Sequence, residues 1–237
     1  VQFVNPNTGW SMIKESSTKF TLIRTSDGGL NWTPIFSDST KVMRFQFIDD
    51  SIGYGMGMAY VNDLLLKTSN GGYNWTVMQS SSSYALSGFY FVNADTGYFN
   101  AFVFPGYNTY RTTNGFQSYE IVSTEVGGSP SSIFFFKEPY NGNLCGYLQG
   151  SGYLWKTTNS GYNWTQLSFS GIVYGFSFIN KDTGWVNMDF ENSSILKTTN
   201  AGTNWNLQFQ GNRLNSIFAV NANKLWCGAD HNYIQVS

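Results

Sequence analysis

Apolar residues gather in short runs along this chain, mostly aromatic and β-branched, and Gly, Asn, Asp and Ser break them at short intervals. No window carries the period of an amphipathic helix. In the second of several similar units, residues 42–48, 53–60, 64–68 and 74–78 read as four strands. The first strand of a unit is nearly continuous in apolar residues, as in Ile133-Phe-Phe-Phe136 and Phe89-Tyr-Phe91. Such runs predict strands buried on both faces.

Two phrases recur along these strands. The first couples an aromatic-aliphatic-Asn step to a Gly-aromatic step. Its copies run Phe3-Val-Asn5 to Gly9-Trp10, Phe47-Ile-Asp49 to Gly53-Tyr54 and Phe91-Val-Asn93 to Gly97-Tyr98. They continue with Cys145-Gly-Tyr147, Phe178-Ile-Asn180 to Gly184-Trp185, and Ala219-Val-Asn221 to Leu225-Trp226. The second phrase is Thr-x-Asp/Asn-x-Gly-x-x-Trp. It runs from Thr25 to Trp32, and its other copies end at Trp75, Tyr119, Trp164 and Trp205, spaced 43, 44, 45 and 41 residues apart.

A period of 40 to 45 with four strands per unit predicts an all-β propeller of four-stranded antiparallel blades. The units fall near 1–36, 37–80, 81–123, 124–168, 169–210 and 211–237, in one domain, with the last blade incomplete. A start at Val1, without Met and inside a strand-like run, together with the short sixth unit, suggests a piece of a longer protein.

Each residue of the second phrase has work to do in a turn. The short Asx side chain accepts nearby backbone N–H groups, Gly supplies a positive φ, and Trp anchors the fourth strand. Asp27, Asn70, Asn114, Asn159 and Asn200 are therefore expected to staple turns, with Trp32, Trp75, Trp164 and Trp205 packed beneath. The third copy carries Phe116 for Gly and Tyr119 for Trp, so its turn should be distorted or differently packed. Asn31, Asn74, Asn163 and Asn192 match the glycosylation acceptor pattern, three of them as by-products of the phrase.

The phrase resembles the Asp-box, or bacterial neuraminidase repeat. With the Gly-aromatic strand before it, the whole chain looks most like the photosystem II stability and assembly factor type of propeller. That resemblance implies fold more than function, because similar repeats occur in sialidases, glycosidases, receptors and assembly chaperones. A sialidase clamps its substrate carboxylate with three arginines. Of the four here, Arg24 and Arg111 hold a repeat position shared with Lys67, Lys156 and Lys197, which leaves Arg44 and Arg213.

Composition narrows the function classes. Charged residues are 11% of the chain, aromatics 18%, and the net charge is −1. Nucleic-acid binding through phosphates needs clustered Lys and Arg, which are missing. No apolar stretch approaches the length of a membrane-spanning helix. Cys145 and Cys227, read as occupying one register of units two apart, are expected to be buried thiols without a disulfide.

Candidate chemistry is sparse. His231 lies between Asp230 and Asn232, as at a hairpin tip, with no nucleophile elbow in the sequence. No metal or cofactor site is expected. Gly53-x-Gly55-x-Gly57 runs into a strand, which suits close packing better than a phosphate cradle. Asp189 and Glu191 form the best pair for a glycosidase, about 6.8 Å apart on one face of a strand.

Alternating strand direction puts the box turns and the loops between strands one and two on one rim. The strand-four-to-one loops and the hairpins from two to three share the other. Contact residues are expected on that second rim: Lys41, Arg44, Tyr60, Asp63, Tyr84, Tyr107, Asp189, Glu191, Arg213 and His231. The expectation is a secreted, surface or periplasmic binding or scaffold module with a protein or glycan partner. The alternatives are a carbohydrate-active enzyme and an assembly factor for a membrane complex.

Overall fold

A computed structural model describes residues 1–15, 20–37, 41–59, 62–81, 85–124, 129–190, 192–211, 214–229 and 232–236. They form six antiparallel sheets with no helix. The chain divides into two compact units, Val1–Ile121 and Val122–Ser237, with the boundary inside a strand.

The first unit holds three sheets. These are β1 (Gln2–Phe3) to β4 (Thr33–Ser37) through β2 (Gly9–Lys14) and β3 (Phe20–Thr25); β5 (Lys41–Phe47), β6 (Gly53–Ala59), β7 (Asn62–Thr68) and β8 (Thr76–Ser81); and β9 (Ala85–Phe91), β10 (Gly97–Val103), β11 (Gly106–Thr112) and β12 (Glu120–Ser123). The second holds β13 (Pro130–Phe135), β14 (Gly146–Gly150), β15 (Tyr153–Thr157) and β16 (Thr165–Leu167), then β17 (Ile172–Phe178), β18 (Gly184–Phe190), β19 (Asn192–Thr198) and β20 (Asn206–Gly211). Its last sheet has three described strands, β21 (Leu214–Asn221), β22 (Lys224–Ala229) and β23 (Asn232–Val236). Strands follow one another in each sheet in chain order, as propeller blades do.

The Gly-aromatic step explains how blades pack. Gly53 lies opposite Phe47 in the β5–β6 pair, and Gly97 opposite Phe91 in the β9–β10 pair. A Cβ at Gly9, Gly53, Gly97, Gly146 or Gly184 would meet the strand-one Phe ring of its own blade at 2.1–2.7 Å. Glycine there leaves a slot that the ring fills.

In three blades the aromatic after this Gly points to the other face, onto the next blade's Phe. Trp10 stacks on Phe47 at 3.7 Å, Tyr54 on Phe91 at 3.3 Å and Tyr147 on Phe178 at 3.7 Å between centroids. The polar tips of these aromatics are satisfied in the same blade that they pack on. Trp10 Nε1 donates to Gly71 O at 2.9 Å, and Tyr54 OH to Ala94 O at 2.6 Å. Burial of Tyr54, reinforced by Asp95, pushes its phenol up to about 12.

The first strand is less uniformly buried than its apolar run suggests. Phe91 and Phe135 are buried, while Tyr90 and Phe134 beside them are half-buried. The alternate position faces the neighbouring blade's backbone, so a polar residue serves there as well. Gln2 donates to Phe47 O and accepts the Phe47 N–H, both at 2.8 Å, and Gln46 does the same with Phe91.

Cys145 and Cys227 are buried free thiols. They do not share a register. Cys145 precedes the Gly146–Phe135 pair, whereas Cys227 follows the equivalent Leu225–Ala219 pair by two residues. Loss of solvation raises both thiol pKa values, that of Cys227 to about 11.

Candidate functional site

The five Thr-x-Asx turns close on themselves. In each, the Thr hydroxyl donates to the Asx Oδ1 at 2.7–3.1 Å and accepts the N–H four residues on at 2.9–3.0 Å. The Asx Oδ1 accepts another N–H at 2.9–3.0 Å. Trp32, Trp75 and Trp205 donate from Nε1 back to the turn's Gly carbonyl at 3.0–3.1 Å. Trp164 instead leaves Nε1 buried without a partner. These acceptor oxygens are occupied by hydrogen bonds inside the turn.

The third turn is differently packed but not distorted. Phe116 adopts φ 77° and donates its N–H to Thr112 as the glycines do. Its ring joins Phe91, Phe99 and Tyr119.

Each turn also donates an N–H, at 2.7–2.9 Å, to the strand-one-to-two loop of its own blade, so these elements share a rim. Those loops carry their own staple. Asn5, Asp49, Asn93 and Asn180 each accept two following N–H groups at 2.7–3.0 Å.

On the other rim, two of the described candidates act between blades. Asp63 Oδ2 accepts the Leu86 N–H at 2.8 Å, and Arg44 Nη1 donates to Ser87 O at 3.0 Å. The structure thus brings Arg44 and Asp63 together on consecutive residues of β9. Tyr107 packs on Phe102 across the β10–β11 hairpin, with centroids 5.1 Å apart. The side chains of Lys41 and Asp189 lie outside the description, although their backbones belong to β5 and β18. Tyr60, Tyr84, Glu191, Arg213 and His231 lie outside the described residues altogether. Lys67 and Arg24 lie over Tyr54 and Trp10 of their own blades, and the strand-three lysines join blades: Lys67 donates to Gly115 O at 3.5 Å, Lys156 to Ala201 O at 3.1 Å and Lys197 to Ala222 O at 2.7 Å.

One feature is not shared between blades. Five residues connect strand one to strand two in the first, second, third and fifth blades; ten, 136–145, do so in the fourth. The Phe136 N–H bonds Cys145 O at 2.9 Å, so the longer loop leaves and returns where the shorter ones do. Its tip is a two-residue hairpin. Tyr140 and Asn143 exchange both backbone hydrogen bonds, and Asn141 and Gly142 take φ 50° and 76°, as an Asn-Gly turn requires.

The loop raises one wall of a cleft of about 370 Å³, whose other wall is Ile179–Lys181 in the fifth blade. Phe136, Pro139, Tyr140 and Ile179 give it an apolar lining, with Lys137, Glu138 and Lys181 beside them. Lys181 sits 4.8 Å from the Tyr140 ring centre and 2.7 Å from the Asp182 carboxylate, which raises its pKa. The sequence held a signal for this loop: the fourth unit breaks the aromatic-aliphatic-Asn step and lacks the Asn staple.

No protein-family model matches this chain. No curated protein matches it either. Solved structures do. YCF48 bound to a D1 peptide aligns at TM-score 0.59 and 19% identity, over 94% of this chain and 63% of that one. The GH74 enzyme of Niastella koreensis aligns at 0.73 and 15%, over 98% and 43%. YCF48 from Cyanidioschyzon merolae aligns at 0.67 and 16%, over 96% and 76%. The chain spans less than two thirds of the first two. At these identities the likeness is one of fold, and the fold is a β-propeller.

Proposed function

We propose that this chain is a non-enzymatic binding module that takes a peptide segment of a protein partner in the fourth-blade cleft. The observation that carries this reading is the ten-residue loop, which adds an apolar, lysine-flanked cleft to an otherwise repeated rim. An apolar side chain suits the lining, and a neighbouring carboxylate suits Lys137 and Lys181. A structural neighbour bound to a peptide supports a protein partner. The repeats are assigned to the Asp-box type, and the setting to a secreted, surface or periplasmic assembly. The second rim, with Tyr60, Tyr84, Arg213 and His231, supplies further contacts in this reading.

The test replaces residues 136–145 with the five-residue sequence of 48–52. The expected result is a folded protein that no longer binds the partner recovered by the wild type. Undiminished binding by the replaced chain would refute the cleft. The GH74 neighbours motivate a second reading as a glycosidase. It predicts turnover on a glycan panel that disappears in Asp189→Ala and Glu191→Ala.

A further inference from the structure

Three Asn-Gly steps occur in the chain: Asn70-Gly71, Asn114-Gly115 and Asn141-Gly142. An Asn side chain before Gly is open to attack by the glycine's own amide nitrogen, which has no β-carbon beside it. The attack needs a side chain free to turn and a peptide free to rotate. Two of the steps lie in the Thr-x-Asx turns and have neither. Asn70 Oδ1 accepts from Thr68 Oγ1 and from the Asn74 N–H, both at 3.0 Å, and Ser51 O holds the Gly71 N–H at 2.7 Å. Asn114 Oδ1 accepts from Thr112 Oγ1 at 3.1 Å and from the Ser118 N–H at 3.0 Å, and Asp95 O holds the Gly115 N–H at 2.9 Å. Asn141-Gly142 is the tip of the long fourth-blade loop, and both residues are exposed. Among the described residues, neither the Asn141 side chain nor the Gly142 N–H makes a hydrogen bond. A Cβ at Gly142 would meet nothing within 4 Å, whereas one at Gly71 would lie 2.8 Å from Asp50 O.

We infer that Asn141 is a site of spontaneous deamidation, and that its product remodels the wall of the cleft. The Gly142 amide nitrogen gives up its proton and bonds to Asn141 Cγ, the Cγ–Nδ2 bond breaks, and ammonia leaves with the proton. Water then opens the five-membered imide at either carbonyl, which leaves an aspartyl or an isoaspartyl residue at position 141. One water is consumed and one ammonia released, with no change of oxidation state. Local opening of an exposed two-residue turn is enough to start the reaction. At Asn70 and Asn114 three inward hydrogen bonds must be released as well, which slows the reaction there by at least about tenfold. Either product puts a carboxylate next to Tyr140, which lines the cleft. The isoaspartyl form also adds a methylene to the main chain of a turn closed by the Tyr140–Asn143 pair. A lower affinity for the peptide follows. That consequence rests on the proposed reading of the cleft, and the chemistry does not.

The experiment incubates the whole chain in mildly alkaline buffer at physiological temperature and follows amide-to-acid conversion by mass spectrometry. Trypsin separates the three steps, because it cuts after Lys67, Arg111 and Lys137. Fragment spectra should place the conversion at Asn141, at least about tenfold ahead of Asn70 and Asn114. In urea the three steps should react at similar rates. Equal rates in the folded protein overturn the inference. So does a lead of Asn141 that persists unchanged in urea, since the fold then has no part in it. Asn141→Gln should remove the signal from its tryptic peptide, and an undiminished signal in that variant also overturns the inference. Binding of aged protein is compared with the loop replacement described above. If the replacement abolishes binding and protein modified at position 141 binds fully, the remodelling fails; if neither loses binding, the cleft reading fails and the modification stands.

Discussion

Substituting Gly97 tests the slot that sets blade spacing. A Cβ added there would lie 2.3 Å from Phe91 Cδ1. Reaching ordinary contact at 3.4 Å means moving the ring by roughly 1 Å. The ring has nowhere to go, because Tyr54 is stacked on it at 3.3 Å and 2°. Overpacking of this kind costs about 1–3 kcal/mol, and losing the stacked geometry adds about 0.5–1.5 kcal/mol. Gly97→Ala should therefore lower stability by about 2–4 kcal/mol. Phe91→Ala should cost about 3–5 kcal/mol through the cavity it leaves. In that background the clash is gone, and Ala is favoured over Gly in a strand by about 0.5–1 kcal/mol. The sign of the Gly97→Ala effect should reverse. Urea titrations of the four proteins, followed by circular dichroism and Trp fluorescence, measure the coupling. An equal cost of Gly97→Ala in both backgrounds would refute the slot.

Two further outcomes follow from the turns. Hydrogen bonds from Asn31 and Thr25 lower the Asp27 carboxyl from 3.8 to about 2. Its stabilisation is thus present above about pH 4 and is lost as pH falls toward 2. Asp27→Asn should flatten the melting temperature across that window while keeping the turn, since the other four turns carry Asn; an unchanged acid slope would count against it. Ala201 holds φ 59° where Gly28, Gly71 and Gly115 stand in three of the other four turns. Ala201→Gly should raise stability by about 0.5–1 kcal/mol, read as a higher melting temperature, because it removes left-handed strain at a β-carbon; a lower melting temperature would contradict this.

Blade count and strand order were legible because the repeat period, the alternation and the turn residues all point to one architecture. The Asx positions were legible as turn formers for a local reason: their partners lie within four residues. The fourth-blade cleft was not legible. Its second wall comes from Ile179–Lys181, more than thirty residues away, and only packing makes the two walls neighbours. Arg44 and Asp63 looked like contact residues because a rim position reads as exposed. Whether the next blade's backbone runs within reach, as Leu86 and Ser87 do, is a distance between elements and not a property of the motif.

The sequence by itself determined that this chain builds antiparallel blades, since period, propensity and turn chemistry act over short stretches of chain. Tertiary structure alone decided why each strand-two step needs Gly, which strand-one ring each aromatic stacks on, and where an unshared loop opens a cleft. The Gly slot rests on a ring six positions away across a strand pair, and the stacks and the cleft on contacts between residues some thirty to forty positions apart. No local pattern encodes how closely a Phe ring will approach a glycine.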